Sequence, residues 1–160
     1  MPSDAAENTL ILGVGNLILR DEGVGIHVVH ALEAGTAGDL PPQAHTLDGG
    51  TGGFHLIGRM QEYQHVIMID ATLDDQPPGT VTVIEPRHAA DFPPLLSAHE
   101  VGLRDMIEAM ALSGNVPRIH LITVSAADVS EVGMELTPAV QAAIPEVIAK
   151  VKALLDGKMV

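Results

Sequence analysis

Three short apolar runs constrain this chain most: Thr9-Leu10-Ile11-Leu12-Gly13-Val14, Val66-Ile67-Met68-Ile69, and Ile119 to Val124. Runs this short and this continuously apolar suit strands covered on both faces, as in parallel sheets. Helical patterns lie between them. A first strand is predicted over 8–14, then a helix from about Asp21 or Glu22 to Ala34 with Val24, Val28, Ala31 and Leu32 on one stripe. Asp21 is the better cap of that helix. A second strand ends at Thr46-Leu47-Asp48, a short helix runs through Met60, and a third strand spans 65–70. Pro77-Pro78-Gly79 marks a turn, and the alternation of Thr80-Val81-Thr82-Val83-Ile84-Glu85 suits a half-exposed, antiparallel edge strand.

Ser97 and Glu100 are spaced as a capping box for a helix whose apolar face is Leu103, Met106, Ile107, Met110 and Ala111. A last core strand over 119–124 leads to a helix over 138–155, capped by Thr137 with Pro138 at its first position. Pro145 is expected to kink or restart that helix, and Gly157 to stop it. Strands separated by helices predict a three-layer α/β domain spanning 1–160, with a twisted, mostly parallel five-stranded sheet and a flexible segment 1–7.

The 160 residues suffice to bury a core without disulfides or a structural metal. Eight Lys and Arg against 21 Asp and Glu leave a net charge of −13, which opposes binding to a nucleic-acid backbone. The absence of cysteine removes thiolate metal sites and a Cys nucleophile, and fits a cytoplasmic protein. Residues 1–8 hold no basic leader and no long apolar stretch, and no later segment approaches a membrane span, so a soluble, unexported chain is expected.

Glu22, Asp70 and His99 stand where such a fold gathers strand ends and helix starts on one rim. Each also has an ordinary reading: Glu22 as a helix-start acid, Asp70 as the cap of a following turn, His99 as a surface residue in a first helical turn. Their joint placement carries the metal-ligand reading. A helix N-terminus beside His99 would keep the ring neutral, the state a metal requires. Asp48 with Gly49-Gly50-Thr51-Gly52-Gly53 reads either as a mobile substrate-binding loop or as a flexible connection. His27, His30, His45, His55, His65, His88 and His120 show no shared ligand spacing and are read as structural or solvated.

Common catalytic signatures fail at identifiable positions. Gly13-Val14-Gly15 begins a dinucleotide fingerprint, but Ile18 occupies the place of its third glycine. His99-Glu100 begins a zinc-protease motif, but Leu103 stands where its second His belongs. No phosphate-binding loop and no G-x-S-x-G elbow occurs.

Several segments together resemble the nickel-iron hydrogenase maturation endopeptidases. They are Leu12-Gly13-Val14-Gly15-Asn16 with Asp21-Glu22-Gly23-Val24-Gly25, then Leu47-Asp48-Gly49-Gly50-Thr51, Ile69-Asp70-Ala71, Ser97-Ala98-His99, and Gly133 through Leu136-Thr137-Pro138. The resemblance implies the fold of that family, phosphorylase/hydrolase-like, and removal of a C-terminal extension from a hydrogenase large-subunit precursor. It carries the family's three metal-contacting residues onto Glu22, Asp70 and His99, and implies that nickel arrives with the precursor, whose metal these side chains would contact. Hydrolysis would follow by polarisation of the scissile carbonyl, or by a metal-bound or carboxylate-activated water. Asp48 and Gly49, Gly50, Thr51 and Gly52 would position the substrate chain, and the protein is expected to act as a monomer. The competing class is a noncatalytic, metal-dependent binding module that docks on the same subunit. A nucleotide-binding protein using Gly13 to Asn16 ranks last.

Overall fold

The computed structural model describes residues 7–51, 53–87, 91 and 103–158. Five strands form its sheet: β1 (Thr9–Gly13), β2 (Ala44–Asp48), β3 (His65–Thr72), β4 (Val81–Ile84) and β5 (Arg118–Ser125), in the order β2-β1-β3-β5-β4. All neighbours are parallel except β4, which runs antiparallel to β5 at the edge. The helices are α1 (Val24–Glu33), α2 (Leu56–Met60), α3 (Leu103–Leu112) and α4 (Pro138–Leu155), with a 3-10 turn at Arg20–Gly23.

Strand alternation divides the core in two. Ile11, Ile67, Ile69, Ile122 and Val124 pack on one face with Val24, Val28 and Leu32 of α1 and Val140, Val147 and Val151 of α4. Leu10, Leu12, Val66, Met68 and Leu121 pack on the other with Leu56 and Met60 of α2 and Met106, Ile107 and Met110 of α3. The three predicted layers are thus present. No helix among the described residues is long and apolar enough to cross a membrane.

Most element readings hold, α4 to the residue. Its end is a Schellman closure: Gly157 has φ 73°, Gly157 N–H donates to Leu154 O and Lys158 N–H to Ala153 O. Four expectations need correction. The first predicted helix is a 3-10 turn followed by α1, and neither carries a side-chain cap. Thr137 occupies the N-cap position of α4, but its hydroxyl donates to Asp21 and accepts no helix N–H. Pro145 does not restart α4. It lies on the exposed face, where water can satisfy the carbonyl one turn back. Ala111 is exposed, so the buried face of α3 is narrower than the pattern predicts. The capping box at Ser97 and Glu100, and residues 1–6, lie outside the described residues.

Candidate active site

Sheet order places a topological switch between β1 and β3: the chain leaves β1 for β2 on one side, while β3 lies on the other. Crevices at such switch points, beyond the carboxyl ends of the strands, are where open α/β sheets bind ligands. Glycine lets three segments meet there without side chains between them. A Cβ on Gly13 would lie 2.3 Å from Gly25 O, and one on Gly25 would lie 2.3 Å from Ile69 O and 2.8 Å from Val14 O. Gly15, at φ 151°, passes so close to Glu22 O that no side chain fits. Gly13 and Gly15, which begin a dinucleotide fingerprint in sequence, therefore serve backbone contact within the chain.

This contact sets the 3-10 turn against β3. Glu22, on that turn, is 6 % exposed; Asp70, near the end of β3, is fully buried. Asp70 Oδ1 accepts the Ala71 N–H at 2.7 Å. Two carboxylates withdrawn from water at one switch point form an arrangement that is costly unless it meets hydrogen-bond donors or a cation. His99, the third predicted ligand, lies outside the described residues, and among those residues no group of three His, Asp or Glu side chains forms a metal cage.

Asp21, beside Glu22, does other work. Its Oδ2 accepts from Ala127 N–H (2.9 Å), Asp128 N–H (3.0 Å) and the Thr137 hydroxyl (2.7 Å), and its Oδ1 from Thr137 N–H (2.8 Å). Burial pushes this carboxyl upward, but the Thr137, Ala127 and Asp128 hydrogen bonds outweigh it and hold Asp21 below the usual carboxylate range. Asp21 is therefore a fixed anion that ties the Glu22 turn to the segment before α4. In sequence Asp21 reads as a cap because its partners lie more than 100 residues away.

Asp48 is exposed at the end of β2, where Oδ1 accepts Gly50 N–H at 3.0 Å and Oδ2 lies 3.3 Å from His30 Nε2. The glycine loop is stitched to the exit of β1 by Gly49 N–H to Gly13 O and Gly15 N–H to Gly50 O. The start of this loop is thus anchored at the rim, while Gly52 lies outside the described residues.

At the opposite end of the sheet, two of the histidines read as structural or solvated are structural. His65 Nε2 and His120 Nδ1 share a 2.7 Å hydrogen bond, with His65 almost fully buried. Burial, with Arg118 and His120 alongside, pushes His65 down to about 4, and burial lowers His120 as well. The folded protein therefore holds His65 neutral, while the unfolded chain takes up its proton near the ordinary value. The stability this contributes is complete above about pH 6.5 and is lost as pH falls towards 4, by about 3 kcal/mol for His65. Urea unfolding of wild type and His65→Gln between pH 7 and pH 4 checks this. The wild type should lose about 3 kcal/mol more than the variant, and parallel pH profiles would refute it.

The family model described as HycI, hydrogenase maturation protease, matches residues 26–153. The chain is 35% identical over 148 residues to the hydrogenase 2 maturation protease of Escherichia coli (strain K12), covering 91% of this chain and 89% of that one. Among solved structures, the hydrogenase maturating endopeptidase HybD from E. coli superimposes with a TM-score of 0.84 at 35% identity, covering 94% of this chain and 93% of that one. The NiFe hydrogenase maturation protease HybD from Thermococcus kodakarensis gives 0.75 at 27% identity, covering 92% and 99%.

Proposed function

This chain belongs to the hydrogenase maturation protease family, and from that membership we propose that it is the endopeptidase that removes the C-terminal extension of a nickel-iron hydrogenase large-subunit precursor after nickel insertion. The observation that carries the site assignment is the burial of Glu22 and Asp70 together at the β1/β3 switch point.

The donor chemistry suits the cargo. Carboxylates and a neutral imidazole are competent nickel partners, so Glu22, Asp70 and His99 contact the ion that the precursor brings. Buried anions gain most from a cation because water does not screen them there. A precursor without its metal leaves that gain unrealised, and this makes binding report on nickel insertion.

Peptide hydrolysis then needs one proton acceptor for the attacking water and one donor for the leaving amine. A carboxylate of the pair fills both roles in turn, taking the proton from water and returning it to the amine. Asp48, Gly49, Gly50, Thr51 and Gly52 guide the substrate chain across the rim, an assignment supported by the anchoring of Gly49 and Gly50 to the exit of β1.

Intact-mass measurement of a cognate nickel-loaded precursor incubated with this protein tests the reading. Loss of one defined C-terminal peptide is the expected result. A stable complex with an unshortened precursor would overturn proteolysis in favour of a binding module.

A further inference from the structure

Seven large apolar side chains are exposed among the described residues, and five of them follow the carboxyl ends of strands: Ile18 after β1, Phe54 after β2, Leu73 after β3, and Val132 and Met134 after β5. Scattered exposed hydrophobes are ordinary, but a set confined to one rim marks an interaction surface.

Three of the five sit on two segments whose backbones are hydrogen-bonded to each other. Leu19 pairs with Gly133 in a parallel bridge, Gly133 N–H donates to Ile18 O at 2.8 Å, and Arg20 N–H donates to Gly133 O at 2.9 Å. Ile18, Val132 and Met134 flank this junction at exposures of 53, 82 and 57 %.

Side-chain hydrogen bonds also brace the junction. Arg20, at φ 50°, donates from Nε to Glu135 O and from Nη1 to Asp128, each at 3.1 Å, and His27 Nε2 lies 3.0 Å from Met134 O. Asp21 ties the same two segments through its four hydrogen bonds. Apolar side chains held in water on so constrained a backbone are preorganised for a partner. Ile18 and Glu22 share one short segment, so patch and buried carboxylate keep a fixed relation.

We infer that Ile18, Val132 and Met134 form the seat for an apolar segment of the large-subunit precursor, flanked by Lys or Arg. The occupant rests on the proteolytic reading above. The charge follows from the three carboxylates of Asp128, Glu131 and Glu135 beside the patch, which the Arg20 guanidinium offsets only in part, and from a net charge of −13.

Calorimetric binding of the cognate precursor, run beside cleavage by mass spectrometry, tests this with Ile18→Ser, Met134→Ser and the double variant. Leu112→Ser, at the last position of α3 and 90 % exposed, is the control. The patch variants should bind about tenfold or more weakly, with cleavage at saturating precursor within about twofold of wild type and melting temperature unchanged. Wild-type affinity should fall as salt is raised. Wild-type affinity in the double variant would overturn the seat and leave proteolysis standing, whereas salt-independent binding would overturn its charged flank. A wild type that binds the precursor without shortening it would overturn proteolysis and leave the seat standing, and one that does not bind at all would overturn both.

Discussion

Glu22→Gln and Asp70→Asn are each expected to slow precursor shortening by about a thousandfold or more while the protein stays folded. Both substitutions keep the volume of the side chain and its capacity to accept one hydrogen bond, but remove the charge. A neutral amide neither attracts the nickel ion nor accepts the proton of an attacking water. Loss of a positioned general base alone is worth about 10²- to 10⁴-fold, and a thousandfold corresponds to about 4 kcal/mol of barrier. The isosteric amides keep the packing of two side chains at 6 and 0 % exposure, so the folded state should persist at the assay temperature. Single-turnover cleavage with parallel thermal melts reads both quantities. A rate within tenfold of wild type, or loss of activity that simply tracks unfolding, would contradict the assignment.

Gly25→Ala is expected to cost the fold about 4 kcal/mol or more, enough to leave little native protein at 37 °C. Its Cβ would be driven to 2.3 Å from Ile69 O and 2.8 Å from Val14 O. Both obstacles are backbone, and Val14 N–H already donates to Ile69 O at 3.1 Å, so neither strand can retreat without breaking the sheet at its switch point. Relief would require α1 to lift away, carrying the 3-10 turn and Glu22 with it. Chemical denaturation checks the prediction. An Ala variant with near-native stability would show that the helix does not press on β3 as the structure has it. Any soluble fraction should also cleave poorly, because the carboxylates separate when the helix lifts.

What the sequence reveals of this fold depends on how local the deciding interaction is. Strands β1, β3 and β5 are readable because a strand buried on both faces has no choice but to be apolar throughout. The start and stop of α4 are readable because Pro138 and Gly157 act through their own dihedral limits. Asp21 is not readable in this way: two adjacent acids before a helix look alike, and only the distant Thr137, Ala127 and Asp128 make one of them a structural anchor. The pairing of His65 with His120 likewise requires the β3/β5 register, which brings together residues 55 apart. Gly13, Gly15 and Gly25 carry a visible signal of close backbone approach, but what approaches them, one another's segments rather than a ligand phosphate, is settled only by the crossing of α1 over β1 and β3. Within the candidate site, the convergence of Glu22 and Asp70 on one rim follows from strand-end logic, and the structure adds their burial.

The most direct test of the account is intact-mass spectrometry of the cognate large-subunit precursor, prepared with and without nickel and incubated with wild-type protein under otherwise identical conditions. The account predicts release of a single C-terminal peptide from the nickel-loaded precursor, with the nickel-free precursor left whole. Equal shortening of both forms would contradict the claim that Glu22 and Asp70 read the metal before the chain is cut.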